Sequence, residues 1–293
     1  MLKRFIVLFV AVAACSPKAS RSLPDWILQP DTAAVALHGY GVSLSTSDTA
    51  EATRQARVMA SAMLALGREM RVSSIQTMRE DSAGSVMEAS ARFISSIPAS
   101  LAPVSKIERL KGNVTVVRVD DVPAKPDEET IPVELSWFNL ENQQGEETAL
   151  VLTVGQDRWE WKRSNDVISF VPVQPQGKAN TALDATDWKE KLMIRQGWET
   201  AMGSAEFTNQ PGSFALAFLG AYAHAVSHLS HSIQSNMVGS AQMFSKNRSN
   251  ADVKTTSNTV LPGVHFLGAS VLATASGTLL LEIHTGTRRQ PGL

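Results

Sequence analysis

His38-Gly39-Tyr40-Gly41-Val42, then Ser47-Asp48-Thr49-Ala50-Glu51, then an alanine-rich run to Met70 decide how this chain folds. The first piece is a short strand whose glycines let another backbone come close. Asp48 caps a helix, and Glu51 follows three residues later as in a capping box. Ala52, Ala56, Met59, Ala60, Met63, Leu66 and Met70 recur at helical spacing. Arg54, Arg57, Ser61 and Arg68 form the opposite, wet stripe. The small alanines let such a helix lie close on a sheet. Working outward, Arg71 to Met78 reads as extended, and Gly84 to Ile97 reads as a second helix that stops at Pro98. Val104 to Leu110 and Val114 to Val122 read as two strands, turning at Lys111-Gly112-Asn113. The order strand, helix, strand, helix, strand, strand predicts an α+β two-layer sandwich.

The same pattern returns later in the chain. Asp25-Trp26 recurs as Asp187-Trp188 and Gly41 as Gly203. Ala60, Ala62, Leu66 and Met70 align with Ala223, Ala225, Leu229 and Ile233. Ile97-Pro98 aligns with Leu261-Pro262, and Thr115 to Val122 with Leu279 to Gly286. Two single-residue insertions and a preserved order are what loop variation leaves after a tandem duplication. The expected fold class is α+β: two tandem two-layer α/β sandwich repeats, at 24–122 and 186–287. The second helix is greasier, with Phe214, Leu216, Phe218, Leu219, Tyr222, Val226 and Leu229 covering most of its surface. A helix apolar on several sides is covered on several sides, so it is expected to pack on the other repeat or on a partner.

Between the repeats, residues 123–185 form a linker and a small β-rich segment. Pro123 to Glu129 is polar and proline-bearing, and Ile131 to Phe138, Thr148 to Val154, Arg158 to Lys162 and Val167 to Val173 read as short strands. Trp137, Trp159 and Trp161 are its expected core. Trp159 and Trp161 could instead make a platform for a glycan. Residues 288–293 are a tail.

The start of the chain carries an address. Lys3 and Arg4 precede an apolar run from Phe5 to Val12, as in an export signal. The run is too short to span a bilayer, which takes ~20 apolar residues. Val12-Ala13-Ala14-Cys15 closely resembles the bacterial lipobox, and Cys15 is the one cysteine of the chain. The resemblance implies removal of residues 1–14 as a lipoprotein signal peptide, acyl chains such as palmitate on Cys15, and a short tether at 15–23. Ser16 after the cysteine favours outer-membrane sorting. Several acyl chains anchor firmly, because each buried methylene contributes ~0.8 kcal/mol. With Cys15 lipidated no thiol remains, which excludes disulfides, thiolate metal sites and cysteine catalysis.

Cleavage would remove Lys3 and Arg4 and no acid, taking the formal charge from −1 to −3. Nothing basic points to nucleic acid. The expected partners are the membrane, through the lipid, and other envelope proteins; the oligomeric state stays open.

Pro24-Asp25-Trp26, Gly39-Tyr40-Gly41, Leu64-Ala65-Leu66 and Val72-Ser73-Ser74 together resemble the Lpp-twenty family of bacterial outer-membrane lipoproteins. The stretch is also similar to the N-terminal domain of flagellar assembly protein T. The resemblance covers residues 24 to 122 and departs from the family at Trp26-Ile27, where an aromatic pair is usual. The second copy keeps only Gly203 of the glycine-aromatic-glycine element. The resemblance implies an envelope or flagellar accessory role and no catalytic residues.

His224, His228 and His231 share one face of the second helix. Three imidazoles suit zinc, yet along a straight helix they climb ~10 Å, so one ion bridges the first pair more readily than all three. Aligned with Ser61, Ala65 and Arg68, they are expected to form a solvated stripe, with a metal site or a pH-sensitive contact as alternatives. P-loop, nucleophile-elbow and His-Glu-x-x-His patterns are absent from the sequence. Asp120-Asp121 and Glu128-Glu129 read as solvated charge. No enzyme activity and no cofactor are expected. The leading expectation is a lipid-anchored binding or scaffolding protein; the alternatives are a metal-binding protein using the His224 face and a peptidoglycan or glycan module.

Overall fold

The computed structural model describes residues 23–288 except 29, 31–35, 45, 82–83, 111, 124, 126, 144, 165–166, 172–197, 209–211, 234–235, 244–248 and 274–278. The signal segment, Cys15, Asp187-Trp188 and the stretch from Pro172 to Ala185, which reads as a second linker, lie outside the described residues. The described residues are mostly strand with a few helices, arranged in three antiparallel sheets, and are α+β in that broad sense. A one-turn helix, α1 (Asp25–Leu28), precedes β1 (His38–Val42), α2 (Thr49–Arg68), β2 (Glu69–Asp81), β3 (Gly84–Pro98), β4 (Val104–Arg109) and β5 (Thr115–Asp120). The middle segment supplies β6 (Thr130–Asn142), β7 (Gly145–Val154), β8 (Asp157–Ser164) and β9 (Val167–Val171). Then follow β10 (Trp198–Phe207), α3 (Ser213–Ile233), β11 (Asn236–Met243), β12 (Ser249–Pro262), β13 (His265–Ala273) and β14 (Leu279–Arg288).

Asp48 caps α2, its carboxylate accepting from Ala50 N–H at 2.9 Å and Glu51 N–H at 3.2 Å. The return arm of a capping box is not made. Glu51 holds Arg54 and Gln55 instead, and Asp48 N–H donates to Thr46 Oγ1. The wet stripe is shorter than expected: Ser61 is buried, and α2 is covered on all sides from Val58 to Gly67.

The expected second helix over Gly84 to Ile97 is instead the strand β3. Alanine, methionine and glutamate lend the segment a helical look, but its buried residues, Ala91, Phe93 and Ile97, lie on one side at odd positions. That is a period of two. β3 pairs with β2, placing Val72 opposite Phe93, and with β6, placing Leu135 opposite Phe93. Residues 130–171 therefore continue a sheet that the first α/β segment begins. The full order is β11-β12-β2-β3-β6-β7-β8-β9, so all three segments of the chain contribute strands to one sheet. Trp137 and Trp161 are buried in the core cluster that also holds Leu66 and Phe218.

Two smaller sheets, β1-β5-β4 and β10-β14-β13, have the same strand order, and each carries a helix on one face. A Cβ built on Gly41 would lie 2.1 Å from Ala56 O, and one built on Gly203 would lie 2.2 Å from Ala221 O. Only a glycine admits so close a helix. A bulge skips Ser105 between Val104 and Lys106 in β4, and another skips Leu267 between Phe266 and Gly268 in β13. The glycine contacts pair Ala56 with Ala221 and Ala60 with Ala225. The helical match expected from the sequence is thus two residues out of step. His224, His228 and His231 stand where Met59, Met63 and Leu66 stand, not at Ser61, Ala65 and Arg68.

α3 is apolar on most sides because it is covered on most sides. It packs on β10 and β14, touches β12, β2, β6 and β7, and meets the first unit at β1. Phe218 stacks on Phe266 with ring centroids 6.0 Å apart, and Phe266 meets Tyr40 at 4.6 Å. Among the described residues, no helix is long and apolar enough to cross a membrane.

Candidate binding groove

A groove of about 450 Å³ opens between α3 with β10 on one side and β2, β3, β6 and β7 on the other. Its apolar part is made by Met87, Ala89, Trp137, Leu216 and Ala217. Its polar part includes Gln76, Asn139, Thr148, Ser204 and Ser227. Glu141, Glu206, His224 and His228 also line it, whereas no lysine or arginine does.

The histidines sit on the seam between α3 and the strands. His224 stacks on Trp137 at 5.4 Å and 21°. His228 meets His224 edge to face at 4.2 Å and 62°. His228 Nδ1 lies 3.2 Å from Met202 O, while His224 Nδ1 lies 3.5 Å from both the N–H and the C=O of Ser204. His231 goes elsewhere, its Nε2 lying 3.1 Å from Ser74 Oγ on β2. Burial, and secondarily His228, pushes the His224 pKa down to about 4 against the opposing effect of Ser204. The same two causes, in the same order, lower that of His231. Both rings are neutral at pH 7. The expected solvated stripe is therefore corrected: of the three, only His228 is exposed.

The three imidazoles do not converge. His224 and His228 come together, but edge-to-face contact points one ring at the face of the other rather than aiming two lone pairs at a shared ion. Among the described residues no three His, Cys, Asp or Glu side chains are grouped to hold a metal. Trp161 is 1% exposed, and Trp159 is half-buried against the same core, so neither offers an open platform. Neither of them lines the groove.

One residue of the groove lining, Gly220, was passed over by sequence reasoning. β1 and β10 are both outer strands of their small sheets. In the first unit, Val42 N–H donates to Met59 Sδ at 3.3 Å and Leu44 N–H to Gln55 Oε1 at 3.2 Å. In the second, Ser204 stands for Val42 and His224 for Met59. Glu206 stands for Leu44, and Gly220 stands for Gln55. Gly220 brings no side chain, and both Glu206 and Gly220 line the groove. In the sequence the signal was a lone glycine inside an apolar helix, which costs ~1 kcal/mol relative to alanine and usually has a reason.

Compared with protein-family models, curated proteins and solved structures, the chain matches none.

Proposed function

We propose that this protein is a lipid-anchored lipoprotein of the bacterial cell envelope that binds other envelope components and catalyses no reaction. Cys15 carries the acyl chains, and the outer membrane, on its periplasmic side, is the destination. The body is a divergent tandem duplication of an α+β sandwich unit of the Lpp-twenty kind, with residues 130–171 joined to it through the shared sheet. The matching strand orders, the matching bulges and the paired contacts at Gly41 and Gly203 support the duplication. The observation that carries the binding role is the groove between α3 and the long sheet. Its concave shape and its mixed lining, with Trp137 and Met87 beside Gln76, Asn139 and Thr148, give a ligand both apolar surface and hydrogen-bonding groups.

Two measurements test this reading. Acyl-chain labelling with membrane fractionation should label the wild type and pellet it with the outer membrane, and Cys15→Ser should abolish both. A photo-crosslinking residue at Thr148, inside the groove, should capture an envelope component from intact cells, whereas one at Lys254, on the exposed surface of β12, should not. A soluble, unlabelled wild type would end the lipoprotein reading, and equal capture at both positions would end the groove reading.

A further inference from the structure

We propose that the histidine face of α3 is an acid-released latch on the groove: protonation frees β10 from α3 and parts the groove walls, so that an occupant held at neutral pH is let go in acid. The release rests on the reading of the groove as a binding seat. Three imidazoles along one helix each tie α3 to another element. His228 Nδ1 lies 3.2 Å from Met202 O on β10. His224 Nδ1 lies 3.5 Å from the Ser204 N–H, also on β10, and its ring stacks on Trp137 of β6 at 5.4 Å. That stack joins one wall of the groove to the other. His231 Nε2 lies 3.1 Å from Ser74 Oγ on β2. The first unit makes the equivalent backbone contact with a group that cannot titrate, Val42 N–H donating to Met59 Sδ at 3.3 Å.

The surroundings of the rings set the sense of the response. Burial, and after it the His228 ring 4.2 Å away, disfavour a charge on His224; the Ser204 backbone opposes them and is outweighed. Burial and His228 act the same way on His231. β10 brings Glu206 to the lining, already partnered, and β6 brings Glu141, which is exposed; the causes acting on His224 include neither. β2, β3 and β7 bring Gln76, Met87, Ala89 and Thr148, none of them charged. β12 and β14, which also pack on α3, meet it with Ser257 and with Leu281 and Ile283, on the face of Gly203. Opening the seam hydrates the imidazoles and restores their ordinary affinity for protons, so acid favours the open seam.

The experiment uses the full chain in zwitterionic micelles, isotopically labelled, with amide exchange read at pH 7, 6 and 5 relative to each amide's intrinsic rate. Ser204 reports the seam, and Leu66, buried in α2, reports global unfolding. Ser204 is expected to open locally, well above the level of Leu66. Its opening equilibrium should rise about twentyfold from pH 7 to pH 5, as a pKa of about 4 closed and 6.5 open requires. His224→Met copies the first unit and should remove that rise. Should the variant fail to fold, His228→Gln carries the test, with a smaller rise, because the second imidazole no longer opposes a charge on the first. A Ser204 amide that follows Leu66 at every pH, one that opens locally without responding to pH, or an undiminished rise in the variant read would overturn the latch. Release is read by photo-crosslinking at Thr148 in isolated envelopes: capture should fall from pH 7 to pH 5 in the wild type and persist in His224→Met. No pH response at Ser204, with capture confined to Thr148, ends the latch and leaves the groove reading standing. Equal capture at Thr148 and Lys254 ends the groove reading, and release with it, whatever Ser204 does.

Discussion

His224 occupies the place that Met59 fills in the first unit, and the exchange makes the seam sensitive to protons. Both side chains touch the backbone of an outer strand, at Val42 in one case and Ser204 in the other. A thioether has nothing to titrate. The imidazole titrates near 6.5 in an unfolded chain and near 4 here, because burial penalises its charged form and His228 lies alongside. The unfolded chain therefore binds more protons between those values. Stability is fully present above about pH 6.5 and is lost as the pH falls toward 4, by on the order of 3 kcal/mol at most. His231 is shifted in the same direction and adds to the slope. Urea midpoints from pH 7 to pH 4 are expected to fall steeply for the wild type and less steeply for His224→Met. Equal slopes would show that His224 is not the group responsible. The sequence made the histidine face legible, but not its burial. The alignment that placed the three rings on a wet stripe was two residues out of step, and on a helix two residues turn a side chain to the far side.

At the scale of elements, β1, α2, β4 and β5 were readable because each had a local signal. Glycines spaced by two, a capping aspartate, a 3.6-residue apolar period and a Gly-Asn turn act over a few residues. β3 was not readable, because its conformation is decided by neighbours far along the chain. Phe93 lies between Val72 on β2 and Leu135 on β6, with Ala91 and Ile97 on the same face. Alanine, serine, methionine and glutamate tolerate either state, and pairing on both sides overrides their mild helical preference. The alternation gives a sharp expectation. Phe93→Ala should cost about 3–5 kcal/mol. Arg92→Ala should leave the midpoint nearly unchanged, although Arg92 pairs with Glu134 at 2.8 Å, because the pair is exposed. Chemical denaturation of the two variants checks this. Comparable losses at 92 and 93 would contradict a strand with one buried face.

The whole molecule joins three stretches that look separable in sequence. Polar, proline-bearing residues at 123–129 suggest a boundary, yet β6 follows them directly into the sheet beside β3. Linker composition reports how a connection behaves, not whether the elements it joins share a core. Residues 130–171 bury Leu135, Leu150, Leu152 and Trp161 in the same cluster as Leu66 of α2 and Leu219 of α3. That arrangement requires the three stretches to unfold together. Trp161 is the place to test it, because among the described residues it is the largest fully buried side chain, and it belongs to the middle stretch. Truncation to alanine should cost about 3–5 kcal/mol. Trp161→Phe should cost far less, because the indole N–H is buried with no partner among the described residues, and removing it offsets part of the lost area. In a two-state molecule the alanine variant moves one transition as a whole. Amide exchange should then show protection falling together at Leu66, Leu150 and Leu219. Loss confined to residues 130–171, with the α2 and α3 amides unchanged, would mean that the middle stretch is an independent domain resting on the others.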